Sequence, residues 1–450
     1  MQNNYQPVIG LELHLELRTK SKVFCSCLAD HFGKSPNAQV CPVCLGLPGA
    51  MPVPNKTAIE WTLRLGAAFG CELNKTSQFD RKHYFYPDLP KGYQISQYEH
   101  PLVGRGEWEL VTGQRIGIRR IHLEEDTGKL MHRVVDGKRV SLIDYNRSGV
   151  PLVELVTEPD FKSAKEAKEF LQEVQLLIRY LEISDADMEK GSMRLEANIS
   201  VLALQEDSLE RADIPKLPDY RVEVKNINSF RFLEKAIEYE IKRQTEVLVS
   251  GENLKQETRG FDEANGTTRL QRSKEEAQDY RYFPEPDIPR LVFTDKELEE
   301  IKSDLPELPQ VKGGRFVTEY GIDGHYAQIL TQKRDLADYF EESIKIGLDH
   351  GITVKKIADT IINKRIDIEK TLPAQLIKHL KGDSDKKLIS GEKLKDVVIE
   401  VLQENQGPAQ NYKNGKEGAL QFLIGIVMSK TKGLASPQET LDMLRKELDD

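Results

Sequence analysis

The sequence predicts an α+β chain in which strands come first and helices last. Three observations carry this. The first 300 residues are rich in short alternating or β-branched segments broken by Gly, Pro, Asn and Asp. A Pro-rich stretch around Pro284 to Pro289 ends that pattern. Beyond Thr294 the chain becomes helical and charged, as in Lys296-Glu297-Leu298-Glu299-Glu300-Ile301. At 450 residues it also exceeds what one hydrophobic core usually fills, so two or three domains are expected.

The first strand spans Val8 to Leu15, where Glu12, His14 and Glu16 alternate and therefore project from one face. Another strand, Gly117 to Leu123, runs into His122-Leu123-Glu124-Glu125-Asp126. Glu154 lies inside the apolar run Pro151 to Val156. Ser163 with Glu166 three residues on reads as a capping box. Behind it Phe170, Leu171, Val174, Leu177, Ile178 and Leu181 share one helical face, a structural packing surface. Glu196 precedes Ala197-Asn198-Ile199, and Arg221 to Val224 reads as a further strand. Residues 1–290 form one expected domain and residues 291–380 a helical one. A polar break at Gly382-Asp383-Ser384-Asp385 sets off a small helical tail over 381–450.

Composition, 39% hydrophobic and 30% charged, is that of a globular chain. The longest apolar run, Ala419 to Met428, falls far short of a membrane helix and lies between Lys416 and Lys430; a buried helix is expected. The opening Met1-Gln2-Asn3-Asn4 lacks the basic and apolar regions of a signal peptide, so a cytoplasmic location is expected. A net charge of -9 argues against broad nucleic-acid binding, although the last 100 residues carry 17 Lys+Arg against 15 Asp+Glu.

Cys25, Cys27, Cys41 and Cys44 form two close pairs separated by 13 residues, the spacing of a tetrahedral structural Zn2+ site. A Cys41–Cys44 redox pair or four buried thiols are the alternatives. Cys71 stands alone and fits a core position. An acid within an apolar strand is costly unless it is paired or metal-bound. Acids converging from several strands would suit Mg2+ bridging ATP phosphates, whereas local pairing with arginines is the plainer reading. No G-x-x-x-x-G-K-[ST] loop occurs, and Gly313-Gly314-Arg315 does not replace one. Arg81, Lys82, Arg119 and Arg120 can hold phosphates or be surface charges.

Seven ordered motifs carry a resemblance to a known family. They are Gly10-Leu11-Glu12-Leu13-His14, Cys41 to Gly49, Phe79 to Gln97, Ile121 to Asp126, Asp144 to Leu152, Lys225 to Phe230 and Asp279 to Asp287. Together they resemble the B subunits of glutamyl/aspartyl-tRNA amidotransferases, the GatB/GatE family. The resemblance implies a glutamine-synthetase-like antiparallel cradle, then a helical domain and a small tRNA-contacting tail. It implies ATP- and Mg2+-dependent phosphorylation of the side-chain carboxylate of Glu-tRNA(Gln) or Asp-tRNA(Asn), followed by amidation with ammonia. Carried onto this chain, Glu12, His14, Glu125, Glu154 and Glu196 become Mg2+ and phosphate groups, with Glu124 beside them as a catalytic residue. Lys82, Tyr84 and Tyr86 become pocket residues, and Arg119 and Arg120 candidate ATP contacts. No Ser-Ser-Lys amidase pattern is present, so a heterotrimer with a glutaminase subunit (GatA) and a small subunit (GatC) is implied.

The chain departs from the family in three places. It has Leu195-Glu196-Ala197-Asn198 where the family reads Cys-Asp-Ala-Asn, Thr127 where an Ala is usual, and a shorter stretch after about Thr353. Two rival readings remain at this point. A free-standing ATP-dependent ligase would need no tRNA, and a zinc-stabilised RNA-binding module would hydrolyse no ATP.

Overall fold

The computed structural model describes residues 5–204, 217–273, 279–364, 366–384, 390–413, 418–431 and 435–449. Asp385 and Lys416, both noted above, lie outside the described residues. The described chain falls into two units, residues 1–312 and 313–450.

In the first unit, β1 (Tyr5–Glu16) is followed by α1 (Lys56–Ala68), β2 (Thr76–Ser77), β3 (Asp80–His83) and β4 (Tyr93–Ser96). Then come β5 (Gly106–Glu109), β6 (Arg115–Glu125), β7 (Lys129–Val135), β8 (Lys138–Asp144) and β9 (Pro151–Thr157). Next are α2 (Ala164–Tyr180), β10 (Met193–Ala203), β11 (Val222–Ile227), α3 (Phe230–Val249), β12 (Glu257–Asp262) and β13 (Thr267–Ser273). β14 (Phe283–Pro284), β15 (Leu291–Val292) and α4 (Asp295–Ser303) complete the run, and α5 (Pro309–Tyr320) crosses into the second unit.

An eight-stranded sheet, ordered β13-β12-β11-β10-β1-β9-β6-β5, organises this unit. Every pairing in it is antiparallel except β11 with β12. The twelve-residue β1 lies between β10 and β9. Its odd-numbered residues Leu11, Leu13 and Leu15 are buried in one core with Val153 and Leu155 of β9, Ile121 and Leu123 of β6, and Leu195 and Ile199 of β10. Phe170, Leu171 and Val174 of α2 and Leu233 and Ile237 of α3 close the same core. One face of the sheet is thus capped by helices, which leaves the even-numbered residues of β1 to the other face.

The local signals mostly act as the sequence suggests. Ser163 caps α2 by accepting from Glu166 N at 3.2 Å. The return arm of the box is displaced, because the Glu166 carboxylate accepts from Lys162 N, one residue before the cap. The full reciprocal box belongs to Thr294 and Glu297 at the start of α4. Cys71 is buried in the core, as expected. Leu298 of α4 also belongs to this core, so the end of the strand pattern does not end the unit.

The second unit is helical: α6 (Gly324–Leu330), α7 (Arg334–Asp349), α8 (Val354–Asn363), α9 (Pro373–Ser384), α10 (Glu392–Glu404), α11 (Gln406–Lys413), α12 (Gly418–Lys430) and α13 (Pro437–Asp449). It holds two apolar clusters. Phe316, Phe340, Ile357 and Ile377 centre one, and Leu394, Val398, Leu423, Val427 and Leu444 the other. The apolar run from Ala419 falls in α12, with Leu420, Leu423 and Val427 buried. No described helix is long and apolar enough to cross a membrane.

Candidate active site and metal centre

The open face of β1 presents Glu12, His14 and Glu16 in a row, and the sheet register decides what each meets. Glu12 lies opposite Glu196 of β10, and His14 lies between Arg194 and Glu154. On the next strand out, His122 pairs in register with Glu154. Two triads of metal-ligating type result, His14–Glu124–Glu154 and Glu12–Glu196–Glu223, each with its ligand atoms within 4.8 Å of one another.

In the first triad, His14 Nε2 is 3.6 Å from Glu154 Oε2 and 3.9 Å from Glu124 Oε1. His122 Nε2 sits 3.2 Å from the same Glu154 oxygen, while its Nδ1 is buried without a partner. Burial alone would push His14 down, but Glu154, Glu196 and Glu124 outweigh it and raise it to about 9. Three carboxylates crowded about one imidazole thus favour positive charge at this point of the sheet. Burial likewise opposes ionisation of Glu124, yet His122 and Lys82 hold it below the usual carboxylate range. Two carboxylates with one imidazole suit a divalent cation.

The second triad is all-oxygen, the donor set a hard cation prefers. Lys225 Nζ reaches Glu196 at 3.0 Å and Glu223 at 3.3 Å. Burial raises Glu196 above its ordinary range despite that lysine. Asn198 donates to Glu12 Oε1 at 2.9 Å, and its own Oδ1 is buried without a partner. Beside it opens a cavity of about 160 Å³ floored by Gly10 and lined by Glu12, Arg119, Asn198 and Arg221.

Glu125 departs from the expected placement. It shares strand parity with Ile121 and Leu123, whose side chains enter the core, so it projects away from Glu124. Its Oε1 accepts from Lys91 Nζ and, at 2.8 Å, from Ile95 N. Glu125 belongs to neither triad. Glu16 is likewise committed elsewhere, to His31 at 2.9 Å and Arg194 at 3.3 Å. Arg194 and Arg147 also clamp Asp126, holding its carboxyl well below the usual range against the opposing effect of burial.

An aromatic and basic wall adjoins the first triad. Tyr98 and Tyr282 stack at 4.3 Å, with Arg120 over Tyr98 at 6.0 Å. Lys82 Nζ lies 5.0 Å from the Tyr280 ring, which Tyr84 meets edge-on. Burial disfavours the Lys82 charge, but Glu124 and its neighbours keep it above the ordinary lysine range. Arg119 instead pairs with Glu158 at 2.7 Å, and Tyr86 is exposed.

The four cysteines of the knuckle converge, with all four sulfurs within 4.8 Å. Cys41 and Cys44 Sγ are 3.8 Å apart. Tetrahedral Zn–S bonds of about 2.3 Å place sulfurs about 3.8 Å from one another, so the set fits zinc. A hydrogen bond from the Cys25 thiol pushes Cys44 down to about 4, and the same bond holds Cys25 up. Lys22, wholly buried, reaches Cys44 Sγ at 3.6 Å and the Gln39 carbonyl at 2.8 Å. Gly46 adopts φ +66 where a Cβ would strike Lys91 Cγ at 2.2 Å, so the knuckle seats directly on the lysine that pairs with Glu125.

Sequence reasoning missed Glu223, Lys225, His122 and the tyrosines 98, 280 and 282 as site residues. The alternation Val222-Glu223-Val224-Lys225 held the signal for the first two, since it puts both charges on one strand face.

Comparison with known proteins places the chain in a family. A model described as the GatB/GatE catalytic domain matches residues 7–299, and one described as a GatB domain matches residues 331–448. The chain is 43% identical over 489 aligned positions to a Thermoanaerobacter pseudethanolicus protein, covering 99% of each. It is 42% identical to one from Thermotoga maritima and 44% identical to one from Caldanaerobacter subterraneus, again covering 99% of each. All three are named as the B subunit of an aspartyl/glutamyl-tRNA(Asn/Gln) amidotransferase. Set against 450 residues, 489 positions leave at least 39 with no residue of this chain opposite them.

Proposed function

Because the chain belongs to the GatB/GatE family, we propose that it is the B subunit of a tRNA-dependent amidotransferase, activating the side-chain carboxylate of Glu-tRNA(Gln) or Asp-tRNA(Asn) with ATP and converting it to the amide. The observation that carries this reading is the pair of triads on one face of the sheet, flanked by a cavity of about 160 Å³ and by a basic, aromatic wall.

A carboxylate does not react with ammonia until one oxygen becomes part of a good leaving group. In the proposed reaction that oxygen attacks the γ-phosphorus of ATP and ADP departs. Ammonia then attacks the side-chain acyl-phosphate carbon and inorganic phosphate leaves. Phosphoryl transfer of this kind depends on positioning and on neutralising charge. Mg2+, held by Glu12, Glu196 and Glu223 and by His14, Glu124 and Glu154, would supply that neutralisation. The chain's own groups do the rest. Gly10, Glu12, Asn198 and Arg221 line the cavity beside the second triad, where the nucleotide would enter. Lys82 and Arg120 offer cations to phosphate or carboxylate oxygens at the wall. His122 buttresses Glu154 and fixes its orientation.

Zinc at Cys25, Cys27, Cys41 and Cys44 would be structural, since four protein ligands leave no open position. All five cysteines are then accounted for, four in the knuckle and Cys71 in the core. Ammonia must therefore come from partner subunits, a glutaminase (GatA) with a small clasping subunit (GatC).

The test is amidation of Glu-tRNA by the purified chain with ammonium in place of glutamine. Product that requires ATP, Mg2+ and the charged tRNA is expected. ATP-dependent amidation of free glutamate would show a small-molecule ligase instead.

A further inference from the structure

β7 and β8 form a two-stranded sheet of their own, hydrogen-bonded to no other strand. None of residues 129–144 is buried, and Val134, Val135 and Leu142 are exposed apolar positions. A lone hairpin is marginal in water. This one is fastened at its root, where Arg147 donates to the carbonyls of Thr127 and Gly128 at 2.9 and 2.8 Å.

The ribbon carries Lys129, Arg133, Lys138 and Arg139 against two acids. One of those acids, Asp144, already accepts from the Asn37 and Asn146 backbone N–H groups. None of the four cations is in an ion pair among the described residues. In a chain of net charge -9, four unpaired cations on one solvated ribbon are a local departure. The ribbon's place in the sheet matters as much. It is the excursion between β6 and β9, which are paired neighbours, and it leaves β6 directly after Glu124 and Glu125. Glu124 and Glu154 of the first triad stand on the two strands that feed it.

We propose that this ribbon docks the sugar-phosphate backbone of the tRNA acceptor arm and so aims the aminoacyl end at the first triad. The inference rests on the function proposed above. Cations on a protruding ribbon meet phosphates without reading bases, and phosphate contacts fix register and orientation. A-form RNA offers such phosphate rows along its grooves while its deep groove stays closed to side chains. A contact with a partner protein would instead draw on the exposed valines and leave the four cations without purpose.

The experiment uses the assembled amidotransferase carrying Arg133→Glu with Lys138→Glu, and a second form with both residues changed to Gln. Glu-tRNA is the varied substrate and ammonium the donor. KM for Glu-tRNA should rise at least tenfold in the Glu form and less in the Gln form, with kcat and KM for ATP nearly unchanged. The slope of log affinity for tRNA against log salt should fall by about one for each cation removed. An unchanged tRNA KM and salt slope would overturn the proposal. So would loss of co-purification with the partner subunits while the chain's own tRNA affinity stays intact, which would make the ribbon a protein contact. Failure of the wild-type complex to use ATP would refute the function and leave the ribbon's tRNA affinity measurable on its own.

Discussion

Glu124 and Glu125 are adjacent in sequence and opposite in consequence. Glu124 faces His14 and Glu154; Glu125 faces Lys91 beneath the knuckle. Glu124→Gln should lower kcat by about two to three orders of magnitude, the size of effect seen when one preorganised electrostatic group is removed from a dry site. Its melting temperature should fall less than that of the Glu125 variant, because Glu154 remains as a counter-charge to His122 and Lys82. Glu125→Gln leaves an almost fully buried lysine without its counter-charge, at a cost of roughly 3 kcal/mol in stability. The Mg2+ dependence of its residual activity should match wild type. Initial rates and melts on both variants check the pair, and a Glu125 variant with wild-type melting but no activity would reverse the two roles. The sequence identified both acids without telling their faces apart. Parity with Ile121 and Leu123 was the available clue, because a residue two positions from a core leucine on a strand points the same way. Glu223 was legible by the same rule. Whether it met Glu12 and Glu196 was not, since that depends on β11 pairing with β10, a contact between distant parts of the chain.

α3 shows how an element is held by one buried charge. Glu240 is wholly buried and accepts from Arg243 and Gln244 on its own helix and from Thr268 on β13, with Arg259 of β12 at 3.2 Å. Burial alone would raise its pKa, but these donors hold it below the ordinary carboxylate value. A depressed folded-state pKa gives stability that is complete above the unfolded value of about 4.3 and is lost as pH falls toward the folded one. Glu240→Gln should therefore melt well below wild type at pH 7, and the gap should narrow between pH 5 and pH 3. Melting curves across that range test the sign, and a gap independent of pH would mean the carboxylate's charge contributes nothing. The α3 helix was not read from the sequence, and this network could not be. Its partners lie on two other strands, and only the Glu240–Arg243–Gln244 spacing is local.

At the scale of the whole chain, the order of strands then helices was readable from periodicity alone, because alternation and the 3.6-residue repeat are local properties. The assignment of α4 to the catalytic unit was not, because nothing in Asp295–Ser303 states what its one buried leucine packs against. The second unit contains two apolar clusters of its own, around Phe340 and Val398. A fragment spanning residues 307–450, which keeps α5 whole, should fold in isolation, as a segment with its own core can. Circular dichroism should show a helical spectrum and a cooperative melt, and a spectrum without helix would mean these clusters need residues of the first unit.

Glu12 and His14 stand two residues apart on one strand, and that interval works as a gauge. The pleat sets their Cα atoms about 7 Å apart whatever the side chains are. Paired catalytic ions that share a bridging oxygen sit about 3.5–4 Å apart. Two ions that close would need the Glu12 and His14 side chains to lean toward each other across that interval. A glutamate rather than an aspartate at position 196 would retune how tightly such an ion is gripped, but the spacing of the two anchoring Cα atoms is drawn in peptide bonds and no side-chain substitution redraws it.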